Sequence, residues 1–256
     1  MRAENLISTF PHPALNPRDK FGRESSHAAF GDAMKIRSDF SKRAVVCPGE
    51  EAFVASPQPG VERLMLDRIG EEIARATSLV RFAPGSFFPF HEHGGGEEVF
   101  VLDGTFADEH GRYPAGTYLR DPIGTSHTPF TKDGCTLFVK LWQFLPGDAT
   151  REVINTTCGS YELTSTEGLE IQHLHAFGGV ATSLQKLAPG FAAKHRLHGD
   201  GEEILVLDGS FGDSFGDYPK GSWLRDPGGT QAEIASEKGC TLLVTTGHLA
   251  RIVVPA

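Results

Sequence analysis

The chain lacks the marks of several large protein classes. Its four cysteines, Cys47, Cys135, Cys158 and Cys240, form no C-x-x-C pair. That excludes a zinc knuckle and a dithiol redox motif, and free thiols in a reducing cytoplasm are the expected state. No apolar run approaches the ~18 residues that a membrane helix needs. Residues 1–11 lack the apolar centre of a signal peptide. Positive charge is scarce: 24 Lys and Arg stand against 33 Asp and Glu, a net charge of −9. A nucleic-acid backbone or an anionic membrane calls for basic patches that this balance does not supply. The expectation is a cytoplasmic protein that acts on a small molecule and binds neither nucleic acid nor membrane.

Turn chemistry, by contrast, is plentiful. The 256 residues include 30 glycines and 16 prolines, which favours short strands over long helices. At 39% apolar content each half can bury a core. Residues 1–37 are poorly periodic, with Pro11, Pro13 and Pro17, and read as an N-terminal arm with a short helix near Ser26–Lys35. Arg43-Ala-Val-Val46 reads as a strand. Residues 61–68 alternate with period two, and 76–82 roughly so, which predicts two more.

An internal repeat organises the rest. Ala83-Pro84-Gly85 recurs as Ala188-Pro189-Gly190, and Val101-Leu-Asp-Gly104 as Val206-Leu-Asp-Gly209. Leu119-Arg-Asp-Pro122 recurs as Leu224-Arg-Asp-Pro227, and Gly134-Cys-Thr-Leu137 as Gly239-Cys-Thr-Leu242. The offset is 105 from Thr77 to about Lys140 without a gap, and about half of the aligned positions are identical. Upstream, Val61-Glu-Arg-Leu-Met-Leu-Asp aligns with Leu169-Glu-Ile-Gln-His-Leu-His if the first copy holds three extra residues near Glu71–Ile73. The chain thus divides into an arm (1–37), a first domain (38–147) and a second (148–256). Residues shared by both copies, among them Gly104, Asp108, Gly116, Arg120, Asp121, Pro122 and Cys135, read as scaffold, and Arg120 and Arg225 as carriers of structural ion pairs.

Chemistry concentrates in the first copy. His91 and His93 are two apart on a strand and face one point. Glu97 keeps that parity if the strand resumes after Gly94-Gly95-Gly96, whereas Glu98, the rival carboxylate, points to the opposite face. His127 follows downstream. Three imidazoles and one carboxylate suit a divalent first-row metal. In the second copy Arg196 stands for His91 and Ala232 for His127, leaving His198 and Glu202, with His195 out of phase. Two ligands are too few for a tight site, so no metal is expected there, and Arg196 is expected to pair with Glu202.

These residues resemble the cupin superfamily. Gly85, His91, His93, Glu97 and Gly104 match its first motif. Gly116, Pro122, Gly124 and His127 match its second, with Thr131 where asparagine is usual. The longer wording from His91 to Gly111, followed by Tyr113-Pro-Ala-Gly-Thr-Tyr118, is similar to the cupin domain of ChrR-type anti-sigma factors. The resemblance implies an all-β fold of two tandem double-stranded β-helix (jelly-roll) cupin barrels. It also implies His91, His93, Glu97 and His127 as ligands of one metal, with no catalytic residue beyond them. Fe(II) is favoured, and Zn or another first-row metal fits the same ligands. Related cupins imply a dioxygenase that cleaves a C–C bond in a small diketone or hydroxyketone. A non-catalytic sensor of the ChrR anti-sigma type is the alternative, although residues 1–40 lack the H-x3-C-x2-C zinc signature of such factors. A metal-assisted isomerase or hydrolase is a third reading. Phe87, Phe88, Phe90, Phe138 and Trp142 are candidates for pocket wall or core. Arg81 and Lys140 are candidates for substrate contact or solvated surface. A homodimer is expected, since sheet edges need covering.

Overall fold

The computed structural model describes residues 34–255, apart from the side chains of 194–198. The N-terminal arm up to residue 33, and with it most of the helix expected near Ser26–Lys35, lies outside the described residues. Lys35 itself belongs to a short strand, Lys35–Ile36, rather than to a helix.

Regular structure among the described residues is strand, interrupted by two short 3-10 turns. The chain forms two tandem jelly-roll barrels, as the resemblance implied. In the first, the Glu97–Asp108 strand lies between Cys135–Leu141 and Thr117–Asp121, and Cys135–Leu141 is followed outward by Ala74–Phe82 and Val61–Gly70. In the second, Glu202–Asp213 lies between Cys240–Thr246 and Trp223–Asp226, with Val180–Leu187 and Leu169–Phe177 outward. All these pairings are antiparallel. The expected strands near 43–46, 61–68 and 76–82 are present as Ala44–Val46, Val61–Gly70 and Ala74–Phe82.

The last strand of each sheet comes from the other repeat. Ala44–Val46 adds to Trp223–Asp226, with Ala44 opposite Arg225. Glu152–Asn155 adds to Thr117–Asp121, with Glu152 opposite Arg120. Arg120 and Arg225 are repeat partners, so the exchange is reciprocal and in register. It satisfies on each sheet a row of backbone groups that an edge strand would leave open. Pairing therefore crosses the 147/148 sequence boundary in both directions.

Strand alternation sorts side chains into three cores. Val99 and Val101 point into the first barrel with Phe82, Leu119 and Leu137. Ile204 and Val206 point into the second with Phe191, Leu224 and Leu242. Phe100, Tyr118, Phe138, Leu205 and Trp223 face the other way and pack between the barrels. Phe138 is thus interface core and not a pocket wall.

The same interface holds buried charge. Lys140, only 2% exposed, donates to Glu203 Oε2 at 2.6 Å across the barrels. Trp223 Nε1 donates to Glu203 Oε1 at 2.7 Å. Arg225 donates to Asp67 at 2.7 Å, and Arg120 to Glu98 at 3.3 Å and Asp148 at 2.5 Å. Arg120 and Arg225 therefore carry structural ion pairs. Lys140 is neither solvated surface nor a substrate contact: its strand position turns it to the interface. Arg81 is exposed and stacks its guanidinium 3.7 Å from the Phe53 ring centroid.

His248 lies 3.1 Å from Glu203 Oε2, against the same oxygen that Lys140 holds. Burial, then the Lys140 charge, lowers its pKa to about 4, although Glu203 works the other way. An unfolded chain takes a proton on this histidine near pH 6.5 while the fold refuses it until about 4. Stability is therefore lost as pH falls from 6.5 towards 4, on the order of 3 kcal/mol from this group. Urea unfolding across that range should show the decline, and His248→Gln should flatten it.

Candidate metal centre

His91 and His127 face each other across a two-stranded ribbon, His91–Glu92 against Ser126–His127. His93 is tied in by its backbone: its N–H donates to Thr125 O at 2.8 Å, and Gly124 N–H donates to its carbonyl at 3.0 Å. The chain then turns through Gly94-Gly95-Gly96, with Gly96 at φ +76°, and enters Glu97–Asp108 with Glu97 facing the histidines. One ligand atom from each of His91, His93, Glu97 and His127 lies within 4.8 Å of all the others. The four residues predicted from spacing are brought together. Glu98, next in line, points to the opposite face and pairs with Arg120.

Outer partners orient the imidazoles. His91 Nδ1 is 2.9 Å from the Pro89 carbonyl, which accepts only, so Nδ1 carries the proton. His93 Nδ1 is 2.9 Å from Thr125 Oγ1, whose own hydrogen goes to Pro122 O at 2.6 Å, so His93 also donates from Nδ1. His127 Nδ1 faces Asp108 Oδ2 at 3.3 Å. All three arrangements turn Nε2 towards the cluster centre. There the buried His93 Nε2, His127 Nε2 and Glu97 Oε2 have no hydrogen-bond partner. Glu97 Oε2 stands 3.5 Å from the first and 3.4 Å from the second. Each unsatisfied buried group costs about 1–3 kcal/mol, and a cation among them satisfies all three. The donor set fits one divalent metal.

Charge supports the same fit. Burial disfavours the ionised Glu97, yet the three histidines hold its pKa below the ordinary range. Burial also opposes a charged His127, but Asp108 and Glu97 outweigh it and raise its pKa to about 10. The pocket is built for positive charge at this point.

Asp108 is the functional residue that sequence reasoning missed. Its recurrence as Asp213 made it scaffold, and one oxygen is: Oδ1 accepts from His110 N, Gly111 N and the Tyr113 hydroxyl at 2.8–2.9 Å. Asp213 Oδ1 does the same for Phe215 N, Gly216 N and the Tyr218 hydroxyl. The second oxygen differs. In the first barrel it faces His127; in the second, where Ala232 replaces that histidine, Arg43 takes it at 2.5 Å. Despite burial, His127 and the turn N–H groups hold Asp108 at about 2. Asp108→Asn should keep the turn acceptor, lose the charge behind His127 and weaken metal binding about 10–100-fold, measurable by competition with a chromophoric chelator.

In the second barrel Ala232 is buried among Phe191, Ile204 and Ile234. The expected Arg196–Glu202 pair and the orientation of His195 fall on side chains outside the described residues.

Above the cluster a cavity of about 340 Å³ is walled by Phe88, Phe106, Val80, Val139 and Trp142, among others. Phe88 sits edge-on to His91, with ring centroids 5.4 Å apart. Phe87 and Phe90 point out of the barrel and are exposed.

No curated protein matches the chain. Solved structures share its fold at low identity. A candidate dioxygenase from Nostoc punctiforme PCC 73102 aligns with TM-score 0.69 and 13% identity, covering 84% of this chain and 87% of that one. The bacterial pirin YhhW of Escherichia coli, in complex with nickel(II), aligns with TM-score 0.60 and 13% identity over 80% and 98%. A mutant of the oxalate decarboxylase OxdC of Bacillus subtilis aligns with TM-score 0.56 and 10% identity over 83% and 79%. At such identities the likeness is one of fold. The family model of the ChrR cupin-like domain matches twice, over residues 41–145 and 150–250. The tandem repeat, the two jelly rolls and this double match make the chain a member of the ChrR cupin-like domain family.

Proposed function

We propose that this chain is a metal-dependent enzyme, a non-haem Fe(II) dioxygenase that cleaves a carbon–carbon bond in a small diketone or hydroxyketone. One observation carries the reading: a three-histidine, one-carboxylate cluster lies in a mostly apolar cavity of about 340 Å³, large enough for a small organic substrate. His91, His93, Glu97 and His127 would hold the metal and leave part of a six-coordinate shell open. Bound there, Fe(II) would supply the redox chemistry that the protein's own side chains lack. The chain's residues do the rest. Pro89, Thr125 and Asp108 keep each Nε2 aimed inward. Glu97 offsets part of the dication's charge. The apolar walls keep bulk water from a reactive substrate.

The ChrR relationship favours a second reading, a metal-binding sensor that responds to a ligand without turnover. Anaerobic loading with Fe(II), then O₂-uptake assays on β-diketones and aryl hydroxyketones, separates the two. Uptake with ring or chain cleavage products is the expected result. Protein verified to hold Fe that consumes no O₂ with any of them removes the dioxygenase reading for that substrate class. The proposal includes association of two chains, supported by the exposed Phe87, Phe90, Ile123 and Phe130 near the ligand segments. A monomer in analytical ultracentrifugation would remove that part.

A further inference from the structure

The second repeat serves as an internal control for the first. Both copies keep the barrel, so features found only in the first are candidates for its chemistry. Three of them converge on one cavity.

The first is Trp142. It occupies a left-handed backbone conformation, φ +58°, where its repeat partner is Gly247 at φ +80°. A bulky side chain is strained in this region, which glycine enters freely. The indole lies flat on the glycine turn: a Cβ added at Gly95 would sit 2.2 Å from its ring. In the second copy the partner of Gly95 is Asp200, and it is tolerated because Gly247 has no side chain to meet it. The pair Gly95/Trp142 has thus been exchanged as a unit for Asp200/Gly247. The strained tryptophan is retained at a wall of the metal-site cavity.

The second and third features are Arg63 and Arg68, which also line the cavity and whose repeat partners are Ile171 and Ala176. Arg68 is 4% exposed. Its Nε donates to Gly70 O at 3.0 Å and its Nη2 to Glu71 O. Both bonds use the Nε and Nη2 edge of the guanidinium. The anchor is the turn that holds the three extra residues of the first copy, so the insertion fixes a buried guanidinium at the cavity. Arg63 lies beside Phe88, 6.0 Å from its ring centroid. Its carboxylate partner among the described residues, Glu72, stands at 3.4 Å and is itself well exposed. Burial, then the neighbouring charge of Arg63, lowers the pKa of Arg68, against the opposing pull of Glu72 and Glu71.

We propose that the substrate is a planar organic anion, a conjugated or aromatic ketone whose end remote from the metal carries a carboxylate. Arg63 and Arg68 receive the carboxylate, and Trp142 stacks on the planar face. This deepens the reading of the cavity as a substrate site and rests on it.

The test uses the full chain loaded with Zn(II), which binds without turnover. Two probes share a hydroxyketone end: 2-hydroxyacetophenone, and the same molecule with a carboxylate at the ring 4-position. Affinity is read by calorimetry and by quenching of Trp142 fluorescence, the other tryptophan, Trp223, being fully buried. The carboxylated probe is expected to bind about tenfold tighter, as a charge-assisted contact requires. Arg63→Met and Arg68→Met should each erase most of that preference while leaving the neutral probe within about twofold. Trp142→Gly, which suits the backbone, should weaken both probes without lowering the melting temperature. Equal affinity of the two probes for the unaltered protein overturns the proposal without any variant, as does failure of either to bind. So does a preference that survives Arg63→Met, a substitution at a partly exposed site. A charge preference without O₂ uptake sinks the dioxygenase reading alone. O₂ uptake without charge preference sinks the anion proposal alone.

Discussion

A chain carrying His127→Ala or Glu97→Gln should fold and lose tight metal binding. The first substitution installs the residue that the second barrel already has at this position. Ala232 packs there without difficulty, so the fold tolerates the loss. The second removes the one negative charge in the cluster and leaves an amide, a far poorer partner for a dication. Removing an outer partner such as Asp108 costs about 10–100-fold, so losing a ligand should cost at least ~100-fold. Elemental analysis after dialysis against a chelator should give about one metal per unaltered chain and a trace in either variant, with circular dichroism unchanged. If turnover is metal-dependent, O₂ uptake falls to background in both. Affinity should also fall with pH in the unaltered chain. His127 holds a proton up to about pH 10 in the absence of metal, and metal must displace it.

Lys140→Ala should lower the free energy of unfolding by about 3–5 kcal/mol, the usual cost of stripping one partner from a buried ion pair. Lys140 leads the groups that keep Glu203 ionised: burial opposes the charge, and the lysine together with His248 outweighs it. Without the ammonium, Glu203 keeps Trp223 and His248 as neighbours but is left without its full counter-charge. It can escape by taking a proton, so the deficit should shrink as pH is lowered. Lys140→Met combined with Glu203→Gln should recover most of the loss. Urea unfolding of the four members of that cycle measures the coupling directly. Metal stoichiometry should not change, because Lys140 faces away from the cluster, opposite Glu98 in the sheet register.

These two expectations separate what is legible in the sequence from what is not. The repeat and the ligand spacing announced the barrels and the cluster, because strand alternation is local and places His91, His93 and Glu97 without tertiary knowledge. Lys140 was misread for the opposite reason. A lysine on a strand is usually solvated, and only the docking of one barrel on the other turns its face into an interior. The role of Asp108 is hidden in the sequence because recurrence points to scaffold alone, while a carboxylate has two oxygens and divides its work between a turn and His127. Trp142 stood in the sequence as an aromatic of uncertain use. Its backbone conformation and its bargain with Gly95 become visible only in space. The register of the exchanged strands was likewise beyond reach, since residues 44–46 carry no mark of which sheet they will join.

That exchange has a consequence for how the molecule could arise and how it can be divided. A gene fragment ending near residue 147 encodes a barrel missing the strand that residues 152–155 provide, and the complementary fragment lacks residues 44–46. Each half is expected to complete its sheet by trading strands with another copy, and the tandem chain has the strand pairing of such a swapped pair in covalently closed form. Closure fixes the ratio of the halves at one to one. It also leaves one metal cluster per chain sufficient. Selection then has to keep only the backbone of the second half, which is the condition under which Ala232 could replace a histidine while Gly209, Arg225 and the borrowed strand stayed in place.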